Sequence, residues 1–316
     1  MTGLAISKSN DRAIFAQSIT TSGKKPLSAS SKPPALQGQP APVGVFDSGV
    51  GGLSIWPALQ ARLPGVPLCY VADSGHAPYG EKSSPFVQDR SLFIVDFLAA
   101  QGARTVVVAC NTATAVAIPL LRSNFPQLTV VGMEPAIKPA AALTRCGRIG
   151  VMATTRTLQS ERYAQLRERH AQGLEVLDLS CPGLALAIEQ GDLATVDRLL
   201  QQHSLTLREA QVDVVVLGCT HYPFVRDRLQ ALLGPAVTVL DTAEAVARRV
   251  AEVGAPPMGT GSAGRAPDRF WTSGQPQHLE DFAQRWLGLA VSAAALPRAS
   301  EPASAAAAPT QKTPPC

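Results

Sequence analysis

Between about residue 42 and residue 290, short β-branched apolar runs alternate with stretches of helical period. Runs at 43–46, 68–71, 105–109, 129–132, 148–152, 174–179, 212–217 and 237–240 are rich in valine, isoleucine and leucine and predict strands. One intervening helix is predicted from near Pro85, with Ser84 as its cap and Phe86, Arg90, Phe93, Ile94 and Phe97 at helical spacing. Another follows Asp192, with Leu193, Val196, Leu199, Leu200 and Leu207 on one side. Short apolar strands alternating with helices predict an α/β fold with mostly parallel sheets.

Two motifs recur in the same order. Val43-Gly44-Val45-Phe46-Asp47-Ser48 is matched by Ile149-Gly150-Val151-Met152-Ala153-Thr154, glycine to glycine 106 residues later. Val106-Val107-Val108-Ala109-Cys110-Asn111-Thr112 is matched by Val214-Val215-Val216-Leu217-Gly218-Cys219-Thr220, cysteine to cysteine 109 residues later. Nearly equal offsets imply two α/β halves of similar topology, each with a cysteine at the carboxyl end of a buried strand, where open α/β sheets bind ligands.

Composition narrows the classes. A chain of 316 residues, 46% apolar, can bury a substantial core. It shows no apolar stretch of about 20 residues and no secretory signal, which predicts a cytoplasmic protein without membrane contact. Residues 1–41, rich in Ser, Thr, Pro and Lys, and the Ala/Pro/Ser segment 290–316 read as disordered extensions. The first has the single acidic residue Asp11, so an organelle transit peptide is the alternative reading. The net charge of +4 is scattered and aromatics are only 5%, which argues against nucleic acid as a partner. Six cysteines without a C-x-x-C pair read as thiols rather than disulfides. Of seven lysines only Lys82 and Lys138 lie outside the terminal segments, which leaves few candidates for a Schiff base with pyridoxal phosphate.

A lone cysteine at a strand end is usually core filler. Two in matched settings, each followed by small hydrogen-bonding residues, suggest a site of approximate two-fold symmetry. A racemase needs that symmetry, because one group takes a proton from one face of a carbon and another returns one to the opposite face. Few thiols are ionised at neutral pH, so each needs a helper. Asp47 is the candidate for Cys110, with a helix cap ahead of Gly49-Val50-Gly51-Gly52 as the competing reading. His221 and Glu189 are the candidates for Cys219, and partial burial of Glu189 is expected to raise its pKa. The 47–52 loop lacks the spacing of a nucleotide-binding loop, and its amides with Ser48 are expected to hold a substrate carboxylate. Asn111, Thr112 and Thr220 supply further donors, and the loop carrying Tyr79 and Gly80 is long enough to cover the site. A cysteine protease would use one nucleophilic thiol rather than two. Cys219 and His221 are too closely spaced for a usual zinc motif, so no metal is expected.

Phe46-Asp47-Ser48-Gly49-Val50-Gly51-Gly52-Leu53, Ala77-Pro78-Tyr79-Gly80, Ala109-Cys110-Asn111-Thr112-Ala113, Gly132-Met133-Glu134-Pro135, Cys181-Pro182 and Gly218-Cys219-Thr220-His221-Tyr222-Pro223 together resemble the glutamate racemases. Phe270-Trp271-Thr272-Ser273-Gly274 is similar to that family's closing strand, so the resemblance runs from about residue 43 to 288. It implies cofactor-independent interconversion of L- and D-glutamate, feeding bacterial peptidoglycan synthesis. It implies Cys110 and Cys219 as acid/base thiols, Asp47, Glu189 and His221 as assisting residues, and Ser48, Tyr79, Gly80, Asn111, Thr112 and Thr220 as substrate contacts, with Asp47 and His221 also beside the substrate. It further implies two α/β domains, 42–133 plus 241–289 and 134–240, related by a pseudo-two-fold with the active site in the cleft. A homodimer is the assembly left open. A related racemase acting on aspartate or a hydantoin is the alternative, which His221 disfavours because aspartate relatives usually carry an acidic residue there.

Overall fold

The computed structural model describes residues 40–254 and 266–297. Strands β1 (Val43–Asp47), β2 (Leu68–Ala72), β3 (Thr105–Val108) and β4 (Thr129–Gly132) come first, followed by β5 (Arg148–Ala153), β6 (Glu175–Ser180), β7 (Val214–Gly218) and β8 (Thr238–Leu240). Two more, β9 (Arg269–Thr272) and β10 (Ala293–Ala295), close the series. The helices are α1 (Trp56–Arg62), α2 (Ser84–Ala100), α3 (Asn111–Asn124), α4 (Ile137–Leu143), α5 (Thr155–Leu158) and α6 (Glu161–His170). They continue with α7 (Leu184–Gln190), α8 (Leu193–Glu209), α9 (Arg226–Leu233), α10 (Ala243–Val253) and α11 (Pro276–Leu287).

The strands form a six-stranded sheet, β10-β9-β2-β1-β3-β4, and a four-stranded sheet, β6-β5-β7-β8, with every neighbouring pair parallel. The order β2-β1-β3-β4 in the first reappears as β6-β5-β7-β8 in the second, which is the architectural form of the sequence repeat. Central strands β1, β3 and β7 are buried throughout, because helices cover both faces and leave no solvated side for polar residues. Edge strand β6 tolerates Glu175 and Asp178 for the opposite reason. The repeated glycines are packing residues: a β-carbon at Gly44 would stand 3.1 Å from Leu98 of α2, and one at Gly150 would stand 2.5 Å from Leu207 of α8. Each lets its helix lie close on the sheet.

All eight predicted strands are present, with ends shifted by a residue or two. The helix at Pro85 is capped by Ser83, whose hydroxyl accepts from the Phe86 amide, rather than by Ser84. A helix follows Asp192 as expected, with the Asp192 side chain as its cap, but Leu193 is exposed while Val196, Leu200 and Leu207 carry the buried stripe. The segment from 290 does not begin as an extension: Ala293–Ala295 pair with Phe270–Thr272 as the edge strand of the first sheet. Three alanines give no apolar signal, but their backbone groups satisfy the open edge of β9. The expectations for residues 1–39 and 298–316 lie outside the described residues. No helix among the described residues is long and apolar enough to cross a membrane.

Candidate active site

The carboxyl ends of β1, β3 and β7 converge on a cavity of about 190 Å³ lined by Ser48, Tyr79, Gly80, Cys110, Asn111 and Thr112 from the first sheet's connections and by Glu189, Cys219, Thr220 and His221 from the second's. A larger, open hollow beside Arg145, Cys146 and Asp213 lies at the amino ends of β5, β7 and β8, away from both matched cysteines. The chemistry-bearing residues therefore gather where a parallel sheet presents its ligand-binding end.

Cys110 is the residue before α3, and its sulfur accepts from the Ala113 amide at 3.4 Å, in the manner of a helix cap. Its thiol faces Ser48 Oγ at 3.5 Å, and Ser48 Oγ donates to Asp47 Oδ1 at 3.3 Å. Asp47 therefore reaches Cys110 through Ser48 rather than directly. Burial, with Asp47's charge added, pushes the Cys110 thiol up to about 12, against a smaller opposing pull from the Ala113 amide and Ser48.

Asp47 corrects two expectations. It is fully buried and does not line the cavity, so it stands behind the substrate space. The Ser48 and Gly52 amides donate to its carboxylate at 2.7 and 2.6 Å, so two of the amides expected to bind a substrate carboxylate are already occupied. Thr220 Oγ1 adds a bond at 3.3 Å from the other half. An acidic side chain held inside the protein must gather donors, and this loop's amides are the nearest ones. Burial still outweighs those bonds and raises the carboxyl's pKa.

Around Cys219 the candidate helpers form a chain, in which His221 touches the thiol and Glu189 touches His221. Cys219 Sγ lies 3.9 Å from His221 Nδ1, and His221 Nε2 lies 2.7 Å from Glu189 Oε2. Burial alone would drive a proton off His221; contacts with Cys219 and Glu189 outweigh it and hold the imidazole's pKa well above its ordinary range. Glu189 moves opposite to the sequence expectation. Burial does push it up, but hydrogen bonds from His221 and His278 prevail and hold it at about 2. It is a carboxylate at neutral pH. The 47–52 loop makes room for this group: a β-carbon at Gly49 would stand 2.6 Å from Glu189 Oε2.

The Tyr79 hydroxyl is not a free substrate contact. It donates to Asp73 Oδ2 at 2.6 Å, and Arg90 grips the same carboxylate at 2.9 and 2.7 Å. Burial and then the Asp73 charge raise the phenol's pKa far above its usual value. Asn111 Nδ2 is buried without a partner beside the cavity, a donor held for an acceptor. Thr112 Oγ1 meets Thr154 and Thr157 across the cleft at 3.2 and 3.5 Å.

Sequence reading missed Asp73, Thr154 and His278. Nothing local in the sequence announces that Arg90 and Tyr79 close on the Asp73 carboxylate. Among the described residues no group of three or more metal-ligating side chains is assembled.

A family model described as Asp/Glu/Hydantoin racemase matches residues 54–250. The chain is 49% identical over 247 residues to a glutamate racemase of Pseudomonas paraeruginosa, covering 78% of this chain and 93% of that protein. Its fold matches the crystal structure of glutamate racemase isoform RacE1 from Bacillus anthracis at TM-score 0.71 and 34% identity, covering 81% and 97% of the two chains. It also matches Escherichia coli glutamate racemase, solved with L-glutamate and the activator UDP-MurNAc-ala, at TM-score 0.68 and 33% identity over 78% and 96%. With two parallel sheets repeating one topology and a cysteine from each at a shared cleft, the chain belongs to the Asp/Glu/Hydantoin racemase family of amino acid racemases.

Proposed function

We propose that this protein interconverts L- and D-glutamate without a cofactor, by proton transfer at the α-carbon between Cys110 and Cys219. The observation that carries the reading is that both thiols line one cavity from opposite halves, each with its own hydrogen-bond chain. The relatives named above support glutamate as the substrate, since they are glutamate racemases. The division into domains 42–133 plus 241–289 and 134–240 belongs to the same proposal, as do a cytoplasmic location, a role in supplying D-glutamate for peptidoglycan and a homodimeric assembly.

In this mechanism one thiolate takes the α-proton while the opposite thiol delivers another, and the roles exchange for the other enantiomer. Burial pushes the Cys110 thiol up to about 12, so Cys110 carries its proton at rest. It becomes a base by passing its proton to Ser48 Oγ as the Ser48 hydroxyl proton moves on to the Asp47 carboxylate. His221, pinned by Glu189, exchanges a proton with Cys219 through Nδ1. Asn111 and Thr112 donate to the substrate carboxylates beside Thr220, whose own hydroxyl is committed to Asp47, with the Tyr79 and Gly80 backbone above them. Exclusion of water strengthens those bonds as negative charge develops at the α-carbon.

Enantiomers have equal free energies, so kcat/KM must be equal in the two directions at every pH. The unequal helpers can appear only in kcat and KM separately. The test is circular dichroism of L- and D-glutamate turnover, with L-aspartate alongside, for the wild type and for Cys110→Ala and Cys219→Ala. Glutamate turnover in the wild type and its loss in both variants is the expected result. Turnover of aspartate alone, or full activity in either variant, refutes the reading.

A further inference from the structure

Glu189 has two oxygens, and each is held by a histidine from a different part of the fold. Oε2 faces His221 Nε2 at 2.7 Å, whereas Oε1 faces His278 Nε2 at 3.4 Å. His278 lies in the first turn of α11, the helix that follows β9 of the six-stranded sheet, while Glu189 lies in the last turn of α7, which follows β6 of the four-stranded sheet. The contact therefore joins a helix of one sheet's layer to the carboxylate that steadies the other layer's acid/base group.

We propose that His278 is a positioning residue for proton transfer at Cys219, acting through Glu189 and His221. The inference rests on the two-thiol reading above. A carboxylate tethered at one oxygen can turn about its last side-chain torsion and carry its partner with it. Tethered at both, it is fixed, and so is the ring it holds. His221 needs that, because its Nδ1 reaches Cys219 at 3.9 Å, where a small rotation determines whether a proton can pass. The same helix supports the ring from the side: Phe282, one turn beyond His278 and fully buried, stands edge-on to His221 with centroids 6.5 Å apart. Arg285, further along α11, closes over Gly191 at the end of α7, where a β-carbon would stand 2.2 Å from its guanidinium. Residues 278, 282 and 285 thus present one face of α11 to the α7 end and to His221.

The chemistry of the pair is consistent. An ionised carboxylate only accepts, so the imidazole donates. The charged groups acting on His278 are Glu189 from α7 and Arg285 and Asp281 from its own helix; Glu189 is the strongest, and the ring's pKa is raised. With its side chain 39% exposed, His278 can be replaced without opening the core.

The experiment compares His278→Ala and His278→Gln with the wild type and with Cys219→Ala, using glutamate and α-deuterated glutamate. The Ala variant removes the tether; the Gln variant keeps a donor near the same place without the charge. In His278→Ala, kcat is expected to fall about 10-fold with KM within threefold, and the primary isotope effect on kcat to rise as proton transfer becomes more limiting. His278→Gln is expected to recover most of the loss. If Cys219→Ala is inactive but His278→Ala keeps kcat within twofold of wild type, the inference fails and the two-thiol reading stands. A loss in His278→Ala that His278→Gln does not recover assigns the residue to packing and also overturns it. A wild type that does not racemise glutamate overturns both.

Discussion

Gly51 lies against the imidazole of His221: a β-carbon built there would stand 2.4 Å from Nδ1 and 2.7 Å from Thr220 Oγ1. The glycine-rich turn after β1 is shaped by what presses on it from the other half, and a side chain at 51 would push on the nitrogen that faces Cys219.

Gly51→Ala is therefore expected to rotate His221 away from Cys219 and lower kcat by roughly 100-fold, since a displacement near 1 Å at a proton-transfer group has that scale of effect. Stopped assays in both directions with far-ultraviolet dichroism check it. A folded variant with wild-type kcat would show that the ring tolerates the push.

Asp73 gathers Tyr79, Arg90 and His76 on one fully buried carboxylate. Asp73→Ala leaves a mostly buried guanidinium unpaired and is expected to cost about 3–5 kcal/mol of stability. The loop carrying the Tyr79 and Gly80 backbone should then loosen, raising KM for glutamate more than it lowers kcat. Urea unfolding together with steady-state kinetics measures both effects.

Glu189 gives a pH dependence of definite sign. Its folded pKa, about 2, lies below the value near 4.3 of a free glutamate, so its contribution is present above about pH 5 and is lost as pH falls toward 2. The stability difference between wild type and Glu189→Gln should shrink by about 3 kcal/mol across that window. Urea midpoints measured at pH 6, 4 and 2.5 follow it, and a difference independent of pH would contradict the ion pairing.

The strands were legible because they are buried on both faces: Thr105–Val108 and Val214–Gly218 leave almost no other reading. Cys110 and Cys219 were legible through their matched offset, which the common strand order now explains. Strand β10 was not, since Ala293–Ala295 are chosen by the edge they complete rather than by their side chains.

The amino-acid order alone established two α/β halves and a cysteine at the end of a buried strand in each, and pointed to candidate helpers of unequal kind, because periodicity and repetition are local properties that survive without coordinates. It did not establish how those helpers are charged or reached. Glu189 was expected to lose its proton less readily and instead holds its charge, because two histidines distant in sequence converge on it. Asp47 was expected at the substrate and instead lies behind Ser48, filled with amide bonds from its own loop. Both outcomes depend on which donors reach a buried carboxylate first, and folding across the two sheets sets that.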